Sequence, residues 1–138
     1  MIQLVSRQNM EQVFPFMVRG LERALTKTSL GEYWSIGTCW DSMVNFAVYG
    51  FYQSESQYSG IFYIGTSPLR KTIHVFWAGK DPDNKTPINS EEMDEFLQAC
   101  AKHFECQSIV IEGRAGWGKW VDKFGYLEDT RSYVKTLE

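Results

Sequence analysis

The chain has 138 residues, with 14 Lys and Arg against 17 Asp and Glu, for a formal net charge of −3. That length is one domain by the usual prior, residues 1–138, and it buries enough surface to fold without a metal or disulfide staple. Hydrophobic residues at 43% and charged residues at 22% exclude disorder and coiled coil, and the mild acidity argues against nucleic-acid binding through clustered Lys and Arg.

Residues 2–7 alternate weakly and predict a short strand. Asn9 with Gln12 resembles a capping box. Phe14, Met17, Val18, Leu21 and Leu25 then share one helical face. Pro15 lacks an N–H, so the helix is expected to begin near Phe14 with Pro15 at its first position, or after a short turn. Gly31 is the expected stop. Within 32–44 a short second helix is expected around 38–43. Three strands follow, at 45–53, 60–66 and 72–78, rich in β-branched and aromatic residues. Their separators are short enough for hairpins. Both alternating faces of these strands are apolar, the pattern of a sheet covered on both sides.

Residues 80–89 are polar, with Pro82 and Pro87, and read as a loop. Asn89 or Ser90 should cap the next helix, with Glu91 and Glu92 at the positive end of its dipole. Its buried stripe is Met93, Phe96, Leu97, Cys100 and Phe104. Residues 108–112 form a strand. Residues 116–124 form a short helix, with Gly125 as its C-terminal cap. Residues 126–137 are expected as a final strand. No run approaches the roughly 18–20 apolar residues of a membrane span, and residues 1–7 lack a signal-peptide pattern.

Cys39, Cys100 and Cys106 contain no C-x-x-C, and His74 and His103 match no metal-ligand spacing. Free thiols are the expectation, with no metal site. His74 lies mid-strand among rings and reads as a packed, hydrogen-bonded side chain before it reads as a general base. Gly113, Gly116 and Gly118 follow a strand in the order G-x-x-G-x-G, which is a tight turn and not the dinucleotide fingerprint. Aromatic residues make up 15% of the chain: five Trp, seven Tyr and nine Phe. Two readings stay open for them, a ring-packed core and an exposed surface for a protein partner.

The element order, strand–helix–(helix)–three strands–helix–strand–helix–strand, resembles the GCN5-related N-acetyltransferase (GNAT) fold. Small GNAT-like proteins of tailed bacteriophages are the nearest likeness. It is carried by TIHVFWAGK (72–80), EEMDEFLQACAKHFE (91–105) and SIVIEGRAGWGKWVDKFGY (108–126). The resemblance implies a single-domain α/β (α+β) protein with a mixed, mostly antiparallel sheet flanked by helices. Strands 72–78 and 108–112 should be parallel neighbours that splay at their C-terminal ends.

In active GNAT enzymes the loop after the fourth strand reads [RQ]-x-x-G-x-[GA], and its backbone N–H groups cradle the acetyl-CoA pyrophosphate. Ala78, Gly79 and Lys80 hold the matching place here, but the loop continues through Asp81, Pro82, Asp83 and Pro87. Two prolines remove donors and two aspartates repel a pyrophosphate. The family's general-acid Tyr falls on Val121, which has no proton to give. Glu112, on the fifth strand, is the remaining candidate base. The resemblance therefore implies a phage-encoded, non-catalytic protein without a cofactor, working in the host cytoplasm or virion. Its partner would be a phage structural or host protein, met by Arg114, Trp117, Lys119 and Trp120, with Trp34 and Trp40 as further anchors. The alternative is an acetyl-CoA-dependent N-acetyltransferase with an altered cofactor loop.

Overall fold

A computed structural model describes residues 1–112, 123–129 and 133–137. It contains β1 (Ile2–Val5), α1 (Met10–Lys27), a 3-10 turn (Ser29–Glu32), α2 (Ile36–Val44), β2 (Tyr49–Gln53), β3 (Tyr58–Thr66), β4 (Lys71–Lys80), α3 (Ser90–His103) and β5 (Ser108–Ile111). The strands form one sheet in the order β1-β2-β3-β4-β5. The first four are antiparallel neighbours. Helix α3 carries the chain from β4 to β5, which pairs parallel to it in the register Thr72↔Ser108 to Val75↔Ile111. This is the α+β architecture expected of a GNAT fold.

The sheet is covered on both faces, as its apolar strands require. On one face α1 and α2 enclose Met17, Leu21, Met43, Ile61 and Trp77. On the other, Met93, Leu97 and Cys100 of α3 lie over Phe51, Phe62, Ile73 and Val75. The two clusters hold most of the described rings. Trp34 and Trp40 are half-buried against the first, with Trp40 edge-on to Phe14 at 5.3 Å. Cys39 and Cys100 are buried free thiols, each pushed up to about 12 by burial, and Cys106 is free and half-buried.

Several boundaries depart from expectation for identifiable reasons. Helix α1 begins at Met10, four residues before Phe14, and contains Pro15. Pro15 and Glu11 are both exposed, so the carbonyl that loses its partner faces water. Asn9 precedes the helix but makes no side-chain cap. Its amide instead accepts from Ser6 N and donates to Leu4 O, closing the β1–α1 turn. The helix stops at Thr28, before Gly31, where the Thr28 hydroxyl donates to Ala24 O and accepts from Leu30 N. Helix α2 is longer than the expected 38–43 because Ser35 and Thr38 form a reciprocal capping box. Strand β2 starts at Tyr49 and not at Asn45. The α2 C-terminus consumes 45–48, turning through Phe46 at φ 57 with Ala47 N on Ser42 O.

Residues 126–129 and 133–137 are in no strand, so the final strand expected over 126–137 is not formed by the described residues. Leu127, Tyr133, Val134 and Leu137 are exposed there, and among the described residues of that segment Tyr126 alone is half-buried, which leaves no apolar face to hold a strand. The helix expected at 116–124 lies outside the described residues except for its last two. Gly125 adopts φ 84, the left-handed conformation its capping role requires.

Helix α1 meets the sheet backbone to backbone. A Cβ on Gly20 would lie 2.4 Å from Gly79 O, and one on Gly79 would lie 2.0 Å from Gly20 O. The buried indole of Trp77 donates to Leu21 O at 3.0 Å across the same contact. This close approach places the end of β4 directly under α1.

Candidate functional site

Among the described residues the pairing of β4 and β5 runs to Val75↔Ile111, with Glu112 N donating to Val75 O at 2.9 Å, and β4 continues to Lys80. The chain then crosses to the N-terminus of α3 through residues 81–89. This is where the GNAT resemblance would place a pyrophosphate cradle, which needs successive free backbone N–H groups and little negative charge.

The loop uses its own donors. Asp81 N donates to Gln57 O, and Asn84 N to Asp81 O. Asp81 Oδ1 accepts from Asp83 N, and Asn84 Oδ1 accepts from Thr86 N, giving two successive Asx turns. Asn89 N donates to Gln53 Oε1, and Asn89 Oδ1 accepts from Glu92 N as the α3 cap. Pro82 and Pro87 have no N–H.

Buried Gln53, at the end of β2, organises this seal. Its Oε1 accepts from Ser56 at 2.6 Å and from Asn89 N at 3.0 Å. Its Nε2 donates to Asn89 O at 3.0 Å and to Glu92 Oε1 at 3.2 Å. Four bonds satisfy the whole amide. Asn84 ties the same loop to the β2–β3 turn by donating to Glu55 O and Gln57 Oε1.

Charge works in the same direction. Arg19 on α1 pairs with Asp83 at 2.6 Å and reaches Asp81 at 3.8 Å. The Lys80 ammonium donates to Asn84 O at 2.6 Å. Arg19 and Lys80 thus already serve the loop, its own Lys85 is exposed, and Glu91 and Glu92 occupy the first turn of α3. Five of the loop's seven N–H groups are thus engaged within the chain, those of Lys85 and Ile88 being the other two, and with two prolines and two aspartates the segment fits a pyrophosphate poorly.

Replacing Gln53 with Leu should destabilise the protein by about 2–3 kcal/mol, because Asn89 N–H and the Ser56 hydroxyl lose their acceptor. Urea denaturation measures this. A midpoint equal to wild type would show that the amide does not organise the loop.

Of the residues singled out from sequence, Ala78 packs on the α3 face, Gly79 meets α1, and Lys80 binds the loop carbonyl. Glu112 follows β5 with its side chain 57% exposed, and its Oε1 is 3.6 Å from His74 Nδ1. His74 is packed as expected, stacked on Tyr63 at 4.8 Å. Its Nδ1, however, is buried without a hydrogen bond. Arg114, Trp117, Lys119, Trp120 and Val121 lie outside the described residues. Gln53, Ser56 and Arg19 were not anticipated. Only Gln53 left a signal, as the polar end of an apolar strand. Among the described residues no group of His, Cys, Asp and Glu could hold a metal ion, and no helix is long and apolar enough to cross a membrane.

No protein-family profile matches the chain, and no curated protein matches it in sequence. Solved structures do match over its whole length. A ribosomal-protein-alanine N-acetyltransferase from Brucella melitensis biovar Abortus aligns with a TM-score of 0.67 at 13% identity, covering 99% of each chain. An aminoglycoside acetyltransferase from an uncultured soil metagenomic sample, in complex with sisomicin, gives 0.69 at 10% identity, over 100% of this chain and 96% of that one. A GNAT family acetyltransferase from Staphylococcus aureus gives 0.64 at 7% identity, over 99% and 98%. The fold is therefore that of the GNAT acetyltransferases.

Proposed function

We propose that this chain is a GNAT-fold protein that does not use acetyl-CoA and acts by binding a protein partner. One observation carries the reading: five of the seven N–H groups of the β4–α3 loop are engaged by Gln53, Gln57, Asp81 and Asn84, while Asn89 caps α3. Opening that network for a pyrophosphate would break several bonds and set its charge against Asp81, Asp83 and Glu92. The likeness of residues 72–80, 91–105 and 108–126 to phage GNAT-like proteins supports a phage origin. It also supports a partner among phage structural or host proteins, met in the host cytoplasm or the virion.

A second reading, an acetyl-CoA-dependent N-acetyltransferase, is favoured by the full-length fold match to solved acetyltransferases. In that case Glu112 is the base. Calorimetric titration with acetyl-CoA separates the two. The first reading expects binding weaker than roughly 1 mM, about −4 kcal/mol. Stoichiometric micromolar binding would establish the second.

A further inference from the structure

We infer that the α1/α2 face of the sheet, at the β4–β5 junction, is a docking site for an arginine side chain of the protein partner. The inference rests on the partner-binding reading and names the chemistry of the contact. The register of β3 and β4 slips between Ile61↔Trp77 and Phe62↔Val75, leaving Phe76 as an extra residue. A bulge of this kind re-aims side chains. Here it sends Phe76 and Trp77 to the same face, where both pack on the α1/α2 side. Phe76 belongs to a run of rings: Trp34 to Phe76 at 5.2 Å, Phe76 to Tyr63 at 5.6 Å, and Tyr63 stacked on His74 at 4.8 Å with their planes nearly parallel at 4°. Tyr63 is 36% exposed, and Trp34, His74 and Phe76 are half-buried, so the run is open at its edge.

Glu112 stands at the His74 end. At 3.6 Å from Nδ1 it is too far for a hydrogen bond, and among the described residues no Lys or Arg pairs with it. A run of rings ending in a largely exposed carboxylate suits a planar cation that stacks through its face and pairs through its edge. Arginine has that geometry. Lysine is a compact, strongly hydrated point charge and matches it less well.

The test follows the ring signals of Tyr63 and His74 by NMR in the full chain during titration with acetyl-Gly-Arg-Gly-amide. The inference expects saturable shifts in the millimolar range, at least threefold weaker binding of the lysine peptide, and at least fivefold weaker binding to E112Q. Glu112 is exposed, so E112Q should keep the wild-type amide spectrum. A second variant, Tyr63→Ala, should weaken binding similarly. Absence of saturable shifts, an unchanged response in E112Q, or a preference for lysine would overturn the site. The acetyl-CoA titration reports separately on the function. Micromolar acetyl-CoA binding would overturn the contact-only reading, while arginine selectivity would still stand or fall on the peptide data.

Discussion

Replacing Gly79 with Ala should cost about 3 kcal/mol and lower the melting temperature by roughly 10 °C. The new methyl would sit 2.0 Å from Gly20 O and 2.9 Å from its carbonyl carbon. Both are backbone atoms inside α1, so no rotamer change relieves the clash. The helix must move off the sheet, stretching the Trp77 bond to Leu21 O and loosening the packing of Met17 and Leu21. Gly20→Ala attacks the same contact from the other side and should behave alike. A midpoint within about 0.5 kcal/mol of wild type in both variants would mean that α1 and β4 do not approach this closely.

Leu97→Asp should be the more damaging change, at about 4 kcal/mol or more, a large part of the stability of a domain this size. Leu97 is 1% exposed and faces the sheet among Phe51, Phe62, Ile73 and Val75. The described neighbours there are apolar and offer a carboxylate no counter-charge. Ala99 is exposed on the same helix, so Ala99→Asp should stay within about 0.5 kcal/mol. Equal denaturation midpoints for the two variants would place the buried face of α3 elsewhere.

The α3 stripe was readable from spacing alone because Met93, Leu97 and Cys100 repeat at helical intervals and meet one apolar layer. The three meander strands were readable because both of their faces are apolar, and two buried faces leave little choice but a covered sheet. Their ends were less clear. Asn45 to Val48 look like strand by composition, but the Ser35–Thr38 box extends α2 to Val44, and the Phe46 turn uses up the residues that follow. Pro15 misled in a similar way. A proline is excluded from a helix by its lost bond only where that carbonyl has no water to turn to.

The site was half legible. Two prolines and two aspartates in 81–87 already argued against a phosphate cradle. What seals it is long-range: Gln53, Gln57 and Arg19 come from elements 24 or more residues away, and no local pattern announces them. The ring platform was equally hidden. Tyr63 and His74 are neighbours only through strand register. Phe76 shares the face of His74 by strand alternation, and the bulge is what turns Trp77 to that face as well.

The most direct test of the central claim is residue-resolved. Backbone amide NMR signals of Asp83, Asn84, Thr86, Asn89 and Glu92 are followed while acetyl-CoA is added to a large excess. If these donors are already engaged within the chain, their signals stay in place and keep slow hydrogen exchange. Saturable shifts concentrated on these five amides would show that the loop opens to hold a pyrophosphate, and the account would be wrong.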